Sequence, residues 1–275
     1  MIKDILLVTD NTALSDPIIL AAVAMAERLT CDLTIDILTP DPVLFPAISP
    51  FTTMDLPKAD MGLDEAARVK AILAMAVSSS AHVRVVGLHD SPSGLARRAG
   101  KSGPIADLIV MGDADVWDTL WLRRRTIETT IMGAGTPLLI LGGAASFAPI
   151  HHAVLGWKDT AEARRAVHDL VALAEPGARI AVVGIAPDET GIAQDRDSAQ
   201  DVVRHLRRHG FDAEAHALLD NGRSDAEALE GFALRQGAQV LAIGAFGHSR
   251  LHEVVFGGVT RSLIERPRLP LLLSH

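Results

Sequence analysis

A glycine-rich stretch near the C-terminus carries the clearest chemical signal in the sequence. It contains Gly244, Gly247, Gly257 and Gly258, and it lies between a short aliphatic segment and a helical pattern that begins near Thr260. Glycines let the backbone approach a ligand closely, and the free N–H groups at a helix start favour a phosphate. The composition therefore fits an anion-binding loop, although such a loop can also be only a tight turn.

Polar side chains in the same stretch were considered as binding or reacting groups. Arg250 and Arg261 flank the glycines, and either guanidinium could contact a phosphate. Ser249 and Thr260 carry hydroxyls, but nothing in the sequence pairs either one with a base, so nucleophilic catalysis has no support. The arginines therefore indicate binding, and no catalytic residue is predicted.

Two histidines in the stretch have a spacing that can suit a metal ion. His248 and His252 are four residues apart, which places both on one face of a helix. No cysteine or third histidine accompanies them in the sequence, so an exposed or phosphate-adjacent position is the preferred interpretation. No metal site is predicted.

The chain contains an internal repeat. Asp107–Gly112 is echoed by Gln239–Gly244, and Thr136–Leu141 by Leu269–Ser274, each after roughly 130 residues. Each half also opens with a short strand, a polar turn and a helix. The repeat predicts two homologous domains, at residues 1–145 and 150–275, joined by a short linker around Gly142–Pro149. The pair His151 and His152 lies at the boundary between the domains and is also interpreted as linker.

Strand and helix patterns alternate within each half, which is the rhythm of an open parallel sheet with right-handed crossovers. The predicted strands lie near residues 4–9, 33–38, 82–88, 107–111, 137–141, 153–157, 179–185, 213–218, 239–243 and 270–274. The predicted helices include 15–28, 62–78, 94–101, 160–174, 195–209 and 224–236. The polar segment Pro40–Pro57 is expected to form a long connection. The fold class is therefore α/β, with two repeated doubly wound, Rossmann-like domains, each a five-stranded parallel sheet with helices on both faces.

Ligands of such sheets bind beyond the carboxyl ends of the strands, where the strand order reverses. This rule selects the ends of the first and fourth strands in each half. One candidate cleft therefore lies near Asp10 and Gly112, and the other near Trp157 and Gly244.

The pattern Gly-x2-Gly-x9-Gly followed by a small residue resembles the nucleotide-binding signature of the universal stress proteins. Gly244, Gly247 and Gly257 match its three glycines, and Gly258 stands where ATP-binding members carry Ser or Thr. The resemblance covers both halves and implies that ATP or a related adenine nucleotide binds in the C-terminal domain, with no Mg²⁺ established. The nucleotide-binding residues it implies are Trp157, Lys158, Gly244, Gly247, His248, Arg250, Gly257, Gly258, Val259 and Thr260.

One position departs from the family pattern. The acidic residue that ends the first strand in ATP-binding members aligns in the second half with Lys158, which lies between Trp157 and Asp159. A lysine there could reach a phosphate, or it could close the site. Gly258 removes a hydroxyl donor but keeps a backbone N–H group, so phosphate binding tolerates this change.

The first half keeps the acidic residue, Asp10, but lacks the glycine pattern. The segment after Gly112 carries three acids that would repel a phosphate and two tryptophans that would fill space, namely Asp113, Asp115, Asp118, Trp117 and Trp121. This cleft is therefore predicted to be degenerate, with Asp10 as a polar cap on the first helix. The run Arg123–Arg125 is expected to be solvated or paired with those acids.

Composition and charge exclude several functional classes. The formal net charge of -8 and the sequence pI of 5.7 do not suit a protein that binds duplex nucleic acid through phosphates. No stretch is apolar for long enough to span a membrane, and the first residues are predicted to form a strand and not a signal peptide. Cys31 is the only cysteine and is expected in the core. A cytoplasmic location is expected.

The resemblance implies a stress-response protein that acts as a non-catalytic switch. A non-nucleotide protein-interaction module of the same fold is the alternative, and a weak ATPase comes third. The partners expected are an adenine nucleotide and a protein of unknown identity, with no nucleic acid and no membrane. In the family the last strand mediates dimerisation, so the resemblance implies that Pro137–Leu141 and Pro270–Leu273 pair within the chain as a pseudo-dimer. A homodimer is an open alternative.

Overall fold

The computed structural model describes most of the chain. The described residues are 2–41, 64–102, 105–142, 147–186, 188–219, 222, 224–245 and 263–275. Most of the predicted connection Pro40–Pro57 and most of the glycine-rich stretch, residues 246–262, lie outside these ranges.

Strands and helices alternate along both halves, as predicted. In the described residues the strands are β1 (Asp4–Asp10), β2 (Asp32–Pro40), β3 (Val83–Asp90), β4 (Leu108–Gly112), β5 (Leu138–Leu141), β6 (His152–Gly156), β7 (Arg179–Ala186), β8 (Asp212–Leu219), β9 (Val240–Gly244) and β10 (Leu271–Ser274). The α-helices whose two ends lie in the described residues are α1 (Asp16–Leu29), α2 (Glu65–Met75), α3 (Pro92–Ser102), α4 (Leu120–Gly133), α5 (Ala161–Leu173), α6 (Glu189–Arg208) and α7 (Asp225–Arg235). Residues 263–265 are also helical. The predicted α/β fold class is confirmed.

The strands form one continuous sheet in the order β3-β2-β1-β4-β5-β10-β9-β6-β7-β8. Neighbours within each half are parallel, and the two halves repeat the same internal order. The chain runs outward from β1 to β3 and then returns to β4, so right-handed crossovers place α1 and α2 on one face and α3 and α4 on the other. The same reversal occurs between β8 and β9.

Burial explains why the central strands read as aliphatic runs. All five residues of β4 are buried, and so are six of the seven residues of β1. Strands covered by helices on both faces have no polar face, so their residues do not alternate. The outer strands β3 and β8 are only partly buried, and polar residues appear in them.

The two halves join through their last strands. β5 and β10 pair antiparallel, with Leu271 opposite Ile140, Leu272 opposite Leu139 and Leu273 opposite Leu138. The pairing of these two strands that the resemblance implied is observed here. It covers an aliphatic edge that would otherwise be open to association with other chains.

Local signals set the helix ends. The Thr160 side chain accepts the N–H of Ala163 at 3.3 Å at the start of α5. Ser224 and Glu227 form a capping box at the start of α7. Gly210 follows α6 with a φ of +86°, which agrees with the predicted helix end at this glycine.

His152 was predicted to lie in the linker, but it is the first residue of β6, and its N–H donates to the Gln239 Oε1 atom at 2.6 Å. Cys31 is buried, and burial raises the pKa of its thiol to about 11, so its predicted place in the core is confirmed. None of the described helices is long and apolar enough to cross a membrane.

Candidate functional site

The central strand pairs have the same register in both halves. Ile5 of β1 lies opposite Leu108 of β4, and Ala153 of β6 lies opposite Val240 of β9. Counting along each strand from these pairs makes Gly112 equivalent to Gly244, and Asp10 equivalent to Lys158. The alignment inferred from the sequence is therefore the structural equivalence, and an acid in the first half occupies the position that a base occupies in the second.

Asp10 in the first half is hydrogen-bonded to the segment that precedes α4. Its Oδ2 atom accepts the backbone N–H groups of Asp118 at 2.8 Å and Thr119 at 3.1 Å, immediately before α4 begins at Leu120. The prediction that Asp10 caps the first helix was wrong. That helix starts after Ser15, whereas Asp10 satisfies amides that precede the helix after the fourth strand, because β1 and β4 are neighbours in the sheet.

The Asp10 carboxyl group is almost completely removed from water. Its residue is 3% exposed, and burial raises its pKa to about 6 against the lowering effect of the N–H donors of Thr119 and Asp118. Trp117 is buried beside this segment, but Trp121 is 51% exposed, so only one of the two tryptophans fills space as predicted. A carboxylate of the protein itself thus occupies the start of α4.

The three arginines of α4 have different roles. Arg123 is 4% exposed, and burial lowers its pKa to about 10, so the expectation of a solvated side chain was wrong for this residue. The charges of Asp113 and Asp115, two of the acids with which it was expected to pair, do act on it. Its Nε donates to the Gly112 carbonyl at 2.9 Å, and its Nη2 donates to the Ile264 carbonyl at 2.7 Å. Arg124 and Arg125 instead pair with Glu128 within their own helix.

In the second half the loop between β6 and α5 carries two of the predicted site residues. The Trp157 ring is turned towards α6, and its Nε1–H donates to the Ser198 Oγ atom at 3.1 Å, which leaves the residue 8% exposed. Lys158 is exposed, and it makes no ion pair with any described residue. Asp159 pairs with Arg164 at the start of α5. The loop therefore presents a buried indole and an exposed ammonium group.

A cavity of about 270 Å³ lies beside Trp157, between α6 and the carboxyl ends of β7 and β8. Its walls are mostly small or apolar, with three polar side chains. The lining residues are Trp157, Gly184, Ile185, Ala186, Arg196, Ala199, Gln200, Ala215, His216 and Ala217. Except for Trp157, this lining was missed from the sequence. The signal that could have found it is the alternation of small residues at 184 and 186 and at 215 and 217, on β7 and β8, the second and third strands of this half.

Gly244 has a packing role. A Cβ atom at this position would lie 2.5 Å from the Ala163 nitrogen and 2.6 Å from the Glu162 carbonyl carbon. The absence of a side chain therefore lets the first turn of α5 pack against the end of β9. The structure gathers Trp157, Lys158 and Gly244 around the start of α5.

The remaining predicted binding residues lie outside the described part of the chain. They are Gly247, His248, Arg250, Gly257, Gly258, Val259 and Thr260. His252, Ser249 and Arg261 also fall there. Within the residues that the structure describes, no group of three or more His, Cys, Asp or Glu side chains could hold a metal ion.

Comparison with solved structures identifies the fold. A universal stress protein from Archaeoglobus fulgidus DSM 4304 matches with a TM-score of 0.67 at 12% sequence identity, over 98% of this chain and 97% of that chain. A functionally unknown protein from Pseudomonas aeruginosa PAO1 matches with a TM-score of 0.63 at 14% identity, over 99% of this chain and 92% of that chain. No protein-family model and no curated protein matches the sequence.

These matches and the repeated strand order define a duplicated, doubly wound α/β protein. Along nearly its full length the chain has the fold of a universal stress protein. The predicted resemblance is confirmed at the level of the fold.

Proposed function

We propose that this chain is a tandem universal stress protein that binds ATP or a related adenine nucleotide in its second half and acts as a non-catalytic switch. Its two domains are those predicted at residues 1–145 and 150–275. The observation that carries the proposal is the opposite charge of Asp10 and Lys158 at equivalent positions of the two halves.

The charge difference bears on what each cleft accepts. In the first half the Asp10 carboxylate accepts N–H groups at the start of α4, so a protein oxygen takes the place that an anion would take. An ammonium group has three donors and no acceptor, so Lys158 cannot do the same for amides that follow β9. A negative charge supplied by a ligand, such as a phosphate, would pair with the lysine.

The cavity beside Trp157 supports a ligand with an apolar ring as well as a phosphate. Ligand pockets are commonly lined by apolar and aromatic groups with a few polar groups that fix orientation. Here the small side chains leave room for a planar base, and Arg196, Gln200 and His216 provide polar atoms at the walls. The cavity and Lys158 both adjoin the loop between β6 and α5, so one nucleotide could reach both.

The proposed phosphate contacts come from the resemblance. The backbone of Gly244, Gly247, Gly257, Gly258, Val259 and Thr260 would surround the phosphates, with His248 and Arg250 beside them. Trp157 and Lys158 would lie at the mouth of the cleft. Binding would alter shape or partner choice without turnover.

Calorimetric titration of ATP into the intact protein and into Gly247→Glu tests the proposal. A carboxylate in the glycine loop would repel phosphate, so we expect binding to the wild type and its loss in the variant. Gly133→Glu is the matched control, because this glycine is exposed and a Cβ there meets no atom within 4 Å.

The same titrations separate the alternatives. If neither wild type nor variant binds ATP, the chain is better explained as a protein-interaction module of the same fold. If bound ATP is hydrolysed, the protein is an ATPase and the non-catalytic part of the proposal is wrong.

A further inference from the structure

A second cavity, of about 390 Å³, lies where the two halves of the chain meet. Its first-half wall is formed by Ala114 and the start of α4, and its second-half wall by residues 264–266, which precede β10. Ligand pockets commonly have volumes of about 300–1,000 Å³, so this cavity has room for a small molecule. It shares no lining residue with the cavity beside Trp157.

Arg123 brings a buried positive charge to this cavity. The residue is 4% exposed, and its pKa of about 10, lowered by burial, keeps the guanidinium charged near neutral pH. Its Nε donates to the Gly112 carbonyl at 2.9 Å, and its Nη2 donates to the Ile264 carbonyl at 2.7 Å. Its Nη1 has no acceptor among the residues that the structure describes. Buried charges in proteins are normally paired, so this nitrogen is available to an anion.

Three arginines and one acid line the cavity. Arg123, Arg124 and Arg266 contribute guanidinium groups, and Glu265 contributes a carboxylate. Arg124 pairs within its own helix. Arg266 pairs with Asp115 at 3.0 Å through its Nη2 atom, and its side chain is 75% exposed. A guanidinium carries five N–H donors, so Arg266 can contact a ligand and keep this ion pair.

The rest of the lining is apolar. Leu120 and Ile264 face the cavity from the two halves, together with Ala114. Leu120 is 56% exposed, and an apolar group of a ligand that covered it would remove hydrocarbon surface from water. The cavity therefore places an apolar surface beside a cluster of cations.

We propose that this cavity binds a small organic anion, a carboxylate or a phosphate monoester carried on an apolar group. Guanidinium groups bind both kinds of oxyanion through paired N–H donors. Arg123 would donate through Nη1 and Arg266 from the opposite half, while Leu120 and Ile264 would contact the apolar group. None of these residues belongs to the proposed nucleotide site, so the inference goes beyond the function proposed above and does not depend on it.

Titrations of the intact protein with phenyl phosphate, benzoate and benzyl alcohol, followed by amide chemical shifts, test the proposal. We expect at least one of the two anions to shift the amides of residues 120–124 and 264–266, and the neutral alcohol to bind at least about tenfold more weakly. Binding of benzoate alone would identify a carboxylate ligand, and binding of phenyl phosphate alone a phosphate monoester. No saturable binding of either anion, equal binding of the alcohol, or shifts confined to other residues would overturn the proposal.

Variants of the two arginines test their roles with the anion that binds best. We expect Arg123→Gln to weaken binding by at least about tenfold and Arg266→Gln by about fivefold, because each removes a charged donor. Arg266→Gln covers the case in which Arg123→Gln does not fold, since its side chain is 75% exposed. Arg268→Gln is the matched control, because this arginine is exposed and does not line the cavity. Wild-type affinity of Arg266→Gln would contradict a ligand held between the halves.

Two further variants locate the site. Leu120→Glu puts a negative charge at the cavity and should weaken anion binding by at least about tenfold, whereas Met132→Glu, at an equally exposed position of the same helix outside the cavity, should leave it unchanged. Lys158→Asp should bind the anion as the wild type does. Loss of binding in Lys158→Asp would show that the anion occupies the proposed nucleotide cleft, and would overturn this proposal without contradicting the proposed function.

Discussion

Asp10 and Lys158 occupy equivalent positions at the ends of β1 and β6, and their charges are opposite. The equivalence follows from the shared register of the central strands, where Ile5 lies opposite Leu108 and Ala153 opposite Val240. Asp10 is buried and accepts two backbone N–H groups, whereas Lys158 is exposed. One difference between the repeats thus places a buried carboxylate after the first strand of one half and an exposed ammonium group at the equivalent position of the other.

The buried Asp10 predicts an unusual dependence of stability on pH. Its folded-state pKa of about 6 lies above the unfolded value of about 3.9, so between these values the folded state binds more protons. Its contribution to stability is therefore greatest below about pH 4 and is lost as pH rises through about 6. Asp10→Asn keeps an acceptor oxygen but cannot ionise. Its free energy of unfolding should therefore lack the decrease of about 3 kcal/mol that the ionisation of Asp10 causes in the wild type between about pH 4 and pH 6.

Urea unfolding of wild type and Asp10→Asn at about pH 4 and about pH 7.5 measures this term. As the pH rises, the free energy of unfolding of the variant should increase relative to that of the wild type. An identical change in both proteins would show that Asp10 does not titrate as described.

Gly244 should tolerate no side chain, for a reason independent of any ligand. In Gly244→Ala the new Cβ would meet the backbone of Ala163 at 2.5 Å, so α5 or β9 must shift at a cost of about 1–3 kcal/mol. Gly133→Ala in α4 is the matched control, because no atom lies within 4 Å and alanine favours a helix by up to about 1 kcal/mol. Thermal unfolding of the two variants should move in opposite directions. Equal shifts would contradict the close packing of α5 on β9.

The hydrogen bond between Trp157 and Ser198 should hold the indole against α6. Trp157→Phe and Ser198→Ala each remove this 3.1 Å contact, so their effects on the free energy of unfolding should not add. A double-mutant cycle is expected to give a coupling of about 1 kcal/mol. Additive effects of the two substitutions would show that the Trp157 indole does not donate to Ser198.

Cys31 should be inert in the folded protein. Burial raises its pKa to about 11, so little thiolate forms near neutral pH, and the sulfur is shielded from reagents. A thiol-specific chromophoric reagent should label one cysteine in denaturing urea and almost none in native buffer. Rapid labelling of the native protein would contradict its place in the core.

Much of the fold could be read from the sequence because parallel strands covered on both faces are continuous aliphatic runs. Strands such as Ile5–Val8 and Leu108–Met111 need no long-range information to be recognised. The internal repeat then predicted two halves with the same order of strands. Counting along the matching strands aligned Lys158 with Asp10.

The details that the sequence did not give depend on neighbours far apart in the chain. Asp10 was assigned to the first helix because that helix is adjacent in sequence, but its amide partners lie at Asp118 and Thr119 across the sheet. Arg123 resembled a surface residue within a basic run, and only the packing of the two halves places it against Ile264. The small residues at 184, 186, 215 and 217 mark two walls of the cavity beside Trp157, but the approach of α6 to β7 and β8 that encloses it depends on tertiary packing.

The most direct test of the proposed function is calorimetric titration of ATP into wild type and Lys158→Asp, with the exposed Lys70→Asp in α2 as control. Lys158→Asp gives the second half the residue that Asp10 is in the first, so its carboxylate should repel phosphate. We expect wild type and Lys70→Asp to bind ATP alike, and Lys158→Asp to bind at least about a hundredfold more weakly. Equal affinity of Lys158→Asp and wild type, or no binding by wild type, would contradict the proposed function.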